Sequence, residues 1–310
     1  RYVNRFTSFN DYQHRVFSIH EGKVFPLPIN LGTICQFVGR HMTPSEARQW
    51  VQDQQDETRA HEQNNLEERA LALVGKDLYE AFFKHYTWKQ WQTDPRDLPA
   101  SVINRLPVRF NFNYRYFSDT WEGLPLDGYQ AWFTHMIRSA EVDVRLGVDF
   151  FQVRSEISPA QIVVYTGPLD AYFGYRFGQL GWRTLDLETQ VVSQPDFQGT
   201  AVMNYADADV PWTRIHEFQH LHPERRNESG KTVIMREFSR LAQRSDEPYY
   251  PINGSLDRRM LEKYRDQTKQ EVNVFFGGRL GTYKYLDMHM AIASALQTVD
   301  AELIPALKRT

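Results

Sequence analysis

The chain has 310 residues, 41% of them hydrophobic, enough for a buried core and two or three structural lobes. Its 36 Lys and Arg against 39 Asp and Glu give a net charge of −3, with the arginines scattered among carboxylates, so nothing favours a nucleic acid or other polyanion as partner. The single cysteine, Cys35, excludes internal disulfides and a cysteine-rich metal site and favours a reducing, cytoplasmic setting, and no stretch is expected to supply the roughly 20 apolar residues of a membrane span.

In chain order, the opening "RYVNRFTSFNDY" has neither an initiator Met nor a cap and reads as the middle of a longer chain. Helix signals follow from 43 to 92. Thr43-Pro44-Ser45-Glu46 supplies an N-cap, a proline at the first helical position and a reaching glutamate, and Asn65-Leu66-Glu67-Glu68 repeats the box. Leu78, Ala81, Phe82, His85 and Tyr86 recur at three- and four-residue spacing, which places them on one helix face.

From Leu106 the period becomes two, with Leu106, Val108, Phe110 and Phe112 alternating against Arg109, Asn111 and Asn113, so a strand is expected. Further strands are expected in "DVRLGVDF", "QIVVYTG", "GTAVMNY" and "KTVIMREF", and a buried one in "EVNVFF". Met288, Ile292, Leu296, Val299 and Leu303 trace an apolar stripe on a last helix. A helical lobe and a sheet lobe are implied.

Among motifs that carry chemistry, His216-Glu217-Phe218-Gln219-His220 matches the H-E-x-x-H of zinc peptidases. That chemistry needs a helix, whereas the flanking prolines and the alternation favour a strand. Two histidines four residues apart on a strand are roughly 13 Å apart at about 3.3 Å per residue, too far to share an ion. "YTGP" (165–168) and "FGGRLG" (276–281) each follow an apolar strand, as cofactor loops do and as tight turns do. Phe82, Tyr86 and Trp91 offer a platform for a planar ring, or else simply core. Arg105, Arg183 and Arg214, beside Tyr- and Trp-rich segments, could grip a diphosphate if they converge. In "FFGGRLGTYKYLDMHMAI" (275–292) a strand stops at two glycines and an arginine, and an aspartate opens a helix whose mouth invites a ligand.

Taken together, "NLEERALALVGKDLYEAFFKHYTWKQW", "LPASVINRLPVRFNFNYRYFSDTWEGLPLDGY", "VVYTGPLDAYFGYRFGQLGWRTL", "DFQGTAVMNYADADVPWTRIHE", "DEPYYPIN" and "FGGRLGTYKYLDMHMAIASAL" resemble bacterial, most closely actinobacterial, UDP-galactopyranose mutase. The resemblance implies a mixed α/β (α+β) fold. Residues 1–27, 119–177 and 268–306 are the expected remainder of a Rossmann-like FAD-binding domain, 28–98 a helical lobe on the uridine side, and 99–118 with 178–267 an antiparallel sheet lobe. It implies a cytoplasmic homodimeric flavoprotein with FAD active in its reduced form and UDP-galactose as partner. The family isomerises UDP-galactopyranose to UDP-galactofuranose, for cell-surface glycans, through a covalent flavin N5–sugar adduct.

Carried over by motif, Phe82, Phe83, Tyr86, Thr87 and Trp91 resemble the uridine pocket, with Tyr86 stacking on uracil. Arg105 resembles the arginine of a mobile loop over the diphosphate and Arg214 its fixed counterpart. Arg183, Tyr116, Tyr250 and Tyr285 resemble further diphosphate contacts, and Asn204 and Glu237 polar groups of the pocket wall. Arg105, Arg183, Arg214 and Arg279 are the expected catalytic set. Thr166, Gly167, Gly278, Arg279, Tyr285, Asp287 and Met288 are expected at the flavin, with Asp287 as the helix cap.

The family's G-x-G-x-x-G, H-I-G-G-N and G-A-H-x-F-H-T segments do not occur in this sequence, so the chain by itself is expected to bind FAD poorly, if at all, and to aggregate. His85 stands where the family usually has Gly, Trp212 where it has Tyr, and Asn113-Tyr114 where Asp-Asn is common. The rival readings are a non-catalytic UDP-sugar-binding fragment and, from His216 and His220, a zinc peptidase.

Overall fold

The computed structural model describes residues 2–55, 63–103, 107–138, 141–158, 161–225 and 227–308. In chain order its elements are β1 (Val16–His20), β2 (Lys23–Leu27), α1 (Leu31–Val38), α2 (Pro44–Asp53), α3 (Leu66–Val74), α4 (Lys76–Tyr79), α5 (His85–Trp91), α6 (Gly128–Arg138), α7 (Phe150–Val153), β3 (Val163–Tyr165), α8 (Leu169–Tyr172), β4 (Trp182–Val192), β5 (Val202–Tyr205), β6 (Arg214–Glu217), β7 (Thr232–Leu241), β8 (Tyr250–Pro251), α9 (Ser255–Thr268), β9 (Val274–Phe276), α10 (Gly278–Thr282), α11 (Met288–Thr298) and α12 (Ile304–Leu307). They fall into two units, Arg1–Val142 with Leu185–Arg240, and Asp143–Thr184 with Leu241–Thr310.

In the first unit, β1 and β2 form a hairpin whose two turn residues, Glu21 and Gly22, both have positive φ, matching the twist of the strands they join. The sheet continues β2-β1-β5-β6-β7 and then the 185–192 part of β4. β1 runs parallel to β5, with Ser18 opposite Asn204, so the sheet is mixed, while β5 with β6 and β6 with β7 pair antiparallel. The helices start where their caps predict. Thr43 and Glu46 bond reciprocally at the head of α2, and Asn65 accepts from the Glu68 N–H at the head of α3.

α4 and α5 are one rod interrupted by a π turn at Glu80–Lys84. The extra residue per turn shifts the helical phase, so Leu78, Ala81 and Phe82 are buried as expected but His85 is turned out to solvent. Leu78 and Phe82 pack with Phe25, Ile34 and Leu66 in the unit's core, and a fully buried side chain of this size contributes about 1.5–3 kcal/mol.

Two strand expectations fail. Residues 107–118 form no strand, and Leu106 lies outside the described residues. The side chains of Asn111 and Asn113 accept the N–H groups of Asn113 and Arg115 two residues on, folding the backbone into turns that compete with a ladder. "DVRLGVDF" is likewise irregular and opens α7, because Asp149 caps Phe151 instead of joining a sheet. The β1–β2 hairpin and the eleven-residue β4 were not expected.

In the second unit, β3 and β9 pair in parallel, Val163 opposite Val274. α9 buries Leu261 and Tyr264 with Leu169, Leu180, Trp182 and Tyr283. Residues 182–183 of β4 pair with Pro251 and Tyr250 of β8. The last helical run carries the expected apolar stripe, but it is not buried within this unit: Met288, Leu296 and Val299 are exposed, and only Ile292 and Leu303 are half-buried. Contrary to the sequence expectation, Met288–Leu307 is by length and composition apolar enough to cross a membrane. It also carries Asp300 and Glu302, and a carboxylate at the middle of a membrane helix costs about 2.5–3.5 kcal/mol.

Candidate functional site

Three strands of the first unit bring a row of polar side chains together. Asn204 on β5 stands opposite Arg214 on β6, which stands opposite Glu237 on β7. Cross-strand partners share a sheet face, so three residues far apart in sequence become neighbours. Arg214 donates to the Tyr86 hydroxyl of α5, and its Nε lies 3.3 Å from Glu237 Oε1. Glu237 is 4% exposed and also takes His216 Nε2 at 3.2 Å. Burial pushes its carboxyl up, but the charge of Arg214 and the hydrogen bond from His216 outweigh burial and hold it below the ordinary range. Asn204 Oδ1 is buried and accepts no hydrogen bond among the described residues.

His14 adjoins this row. Its Nδ1 is 2.9 Å from the Tyr12 hydroxyl, and its ring meets Tyr116 edge-on and Phe117 in a stack. Tyr116 donates its N–H to the His14 carbonyl at 2.8 Å. Burial first, then Arg214 and His216, lower the His14 pKa to about 4 against the pull of Glu122. The ring is therefore neutral at physiological pH. His14 was missed because a lone histidine before a strand has no local signature, and only the fold places it near Arg214.

Around Tyr86, Thr87 is buried and Trp91 half-buried, while Phe82 and Phe83 are core residues, Phe82 meeting Phe25 and His20 edge to ring and Phe37 at a tilt. His85 lines a separate pocket with Glu67, Lys84, Trp88, Asp94, Pro95 and Arg96, a different side of α5 from Tyr86. Trp212 stacks edge-on with Tyr205, beneath Arg236. Arg105 lies outside the described residues.

The second unit holds the other expected residues. Arg183 is fully buried on β4, paired in register with Tyr250. The Tyr250 and Tyr285 rings stack at 5.9 Å with 12° between their planes. The Arg279 guanidinium lies 4.4 Å from the Tyr285 ring centre and donates to the carbonyls of Tyr249 (3.0 Å) and Leu286 (2.7 Å). Gly278 has φ +71° beside Thr166, and a side chain at Gly281 would come within 2.9 Å of the Tyr165 carbonyl. The β3 loop with Thr166 and Gly167 thus packs directly on α10. Asp287 occupies the N-cap position of α11, as expected, but its side chain makes no capping bond to the helix. Met288 is 60% exposed.

The H-E-x-x-H segment is strand only to Glu217 and then a 3-10 turn from Phe218 to Leu221. His216 turns to Glu237 and His220 to Asp196, so the two histidines of the motif serve different partners. Ligand-type atoms of Asp196, Glu217 and His220 do lie within 4.8 Å of one another, but both Glu217 oxygens already accept N–H groups, those of Phe197 and Gln198 among them.

The architecture is that of a mixed α/β, FAD-binding type of fold. It matches a crystal structure of reduced UDP-galactopyranose mutase with a TM-score of 0.68, over 98% of this chain and 80% of that one, at 14% identity. In sequence, residues 81–285 match the profile of the UDP-galactopyranose mutase family. Relatives include a probable UDP-galactopyranose mutase of Klebsiella pneumoniae, 44% identical over 96% of this chain and 76% of that protein, and dTDP-fucopyranose mutase of Escherichia coli, 38% identical over 96% and 79%. The chain belongs to the UDP-galactopyranose mutase family.

Proposed function

We propose that the protein is an isomerase that interconverts UDP-galactopyranose and UDP-galactofuranose, with reduced FAD as its working cofactor, supplying galactofuranose to cell-surface glycans as a cytoplasmic homodimer. The observation that carries the reading is the row Asn204–Arg214–Glu237 with Tyr86 docked on Arg214. A ring for a base and a cation for a diphosphate sit side by side, and the cation is aimed by a buried carboxylate. When the sugar's anomeric bond breaks, negative charge builds on the departing diphosphate, and an oriented guanidinium stabilises that charge without having to reorganise. Asn204 Oδ1 remains available to a sugar hydroxyl. Arg183, Arg279, Tyr250 and Tyr285 are the corresponding groups of the second unit, and Arg105 completes the proposed set.

The residues present fit a flavin. Gly277 opens onto a surface free of side chains, and Asp287 makes no capping bond to α11, so that helix can offer its first N–H groups to a negatively charged ring edge. Thr166, Gly167, Gly278, Arg279, Tyr285, Asp287 and Met288 would hold it. Bound and reduced, FAD supplies the nucleophile, its N5, for the anomeric carbon. The chain's own part is to orient the sugar and to stabilise the departing UDP, so it needs neither a carboxylate pair nor a Ser-His-Asp set.

The test uses the purified protein with UDP-galactofuranose, with and without dithionite, and dTDP-fucopyranose as a competing substrate. Conversion of the UDP sugar that depends on reductant supports the reading. A colourless protein, equal activity when oxidised, or preference for the dTDP sugar overturns it, and UDP binding without turnover favours a binding fragment.

A further inference from the structure

Lys89 lies on α5 three residues after Tyr86, on the same side of the helix. It is 7% exposed, and its Nζ donates to four main-chain carbonyls: Tyr205 (2.7 Å), Asp207 (2.8 Å), Val210 (2.9 Å) and Trp212 (3.3 Å). Tyr205 ends β5 and the other three belong to the loop that joins β5 to β6, so the chain closes around one ammonium. An ammonium is a source of three donors and no acceptor, so it can order a ring of carbonyls that would otherwise face one another. Burial lowers the lysine's pKa to about 8, with Asp207 and Asp209 opposing, so the cation prevails at neutral pH. The loop's outer side is tied separately, Asp207 binding His20 at 2.7 Å and the Glu21 N–H at 2.9 Å.

Arg214 begins β6 two residues after Trp212, the last carbonyl of the ring. Tyr86 and Lys89 therefore grip the same hairpin from one helix face, Tyr86 through the arginine and Lys89 through the loop before it. We infer that Lys89 is a positioning residue of the nucleotide-sugar site, its ammonium acting as the template that sets Arg214 against Tyr86. The inference rests on the proposed reading of that site. The spacing between the proposed base and diphosphate contacts comes from the helix and the loop being bound to a single point, and no substrate atom need touch the lysine.

The test compares Lys89→Met, Lys89→Arg and, as a control, Ser239→Ala in the full-length protein. Ser239 Oγ donates to the Gln90 carbonyl at 2.6 Å and ties α5 to β7 at a point that does not involve the Lys89 ammonium. Lys89→Met is expected to weaken UDP binding, measured by calorimetry, and to raise KM for the UDP sugar at least tenfold, with kcat within threefold. Lys89→Arg, which keeps a cation with several donors, recovers much of the loss. Ser239→Ala lowers Tm but leaves KM unchanged. A folded Lys89→Met with UDP affinity and KM within twofold of wild type, or shifted no more than Ser239→Ala, overturns the inference. If Lys89→Met does not fold, Lys89→Gln is judged by the same criteria. If neither folds, the role is one in folding alone and the inference is overturned. A wild-type protein that binds no UDP overturns the nucleotide-sugar reading itself, a result distinguishable from an unchanged variant.

Discussion

Replacing Glu237 by Gln tests the electrostatics of the polar row. The carboxylate contacts Arg214 Nε at 3.3 Å, His216 Nε2 at 3.2 Å and the Thr213 hydroxyl at 3.3 Å. A hydrogen bond to a charged group contributes about 1.5–3 kcal/mol and a neutral one about 1 kcal/mol, so removing the charge while keeping the shape loses about 1 kcal/mol at the His216 hydrogen bond and weakens the ion pair with Arg214 as well. The side chains of Arg214 and His216 are 26% and 22% exposed, so solvent reduces this, and a net loss of about 1–3 kcal/mol is expected. At about 2–4 °C per kcal/mol for domains of 150–250 residues, Tm falls by about 2–12 °C at pH 7. The folded-state pKa of Glu237 lies below its unfolded value. The stabilisation is therefore present above the unfolded pKa of about 4.3 and is lost as pH falls through the folded value. Thermal melts of both proteins from pH 7 to pH 3 check this. A gap that vanishes towards pH 3 supports the reasoning; no gap at pH 7, or one independent of pH, refutes it.

Two other substitutions examine separate parts of the molecule. Gly281→Ala places a Cβ 2.9 Å from the backbone carbonyl of Tyr165. Backbone cannot rotate away, so a loss of about 1–3 kcal/mol in stability is expected in thermal melts; an unchanged Tm would show that β3 and α10 do not pack as described. His14 is lowered to about 4 from the ordinary 6.5. The unfolded chain then takes up a proton first, and stability drops as pH falls from about 6.5 towards 4. His14→Gln should flatten that limb of the urea midpoint against pH, and a parallel pair of curves would disprove the burial argument.

The helix starts were legible because caps are local: Thr43 with Glu46, and Asn65 with Glu68, satisfy N–H groups within their own turn. Strands β3, β5, β7 and β9 were legible in place because β-branched and apolar runs stopped at turn residues. The strand expected from Leu106 was misjudged because alternation says nothing of an Asn side chain capturing the next N–H but one. His85 was misjudged because a π turn leaves no mark in the hydrophobic period.

Sequence alone determined the class of elements and the motif set that resembles the family, and that resemblance implied Tyr86, Arg214 and Glu237 as members of one candidate site. Tertiary structure alone decided that strand register sets Asn204, Arg214 and Glu237 in a row, that His14 and His216 adjoin them, and that Lys89 ties α5 to the loop ahead of Arg214. The physical reason is range. Caps and periodicity act over three or four residues, whereas the contacts of this site join residues 86 to 214, 89 to 212 and 14 to 116, and such pairings are fixed only when a sheet closes and buries the groups between them.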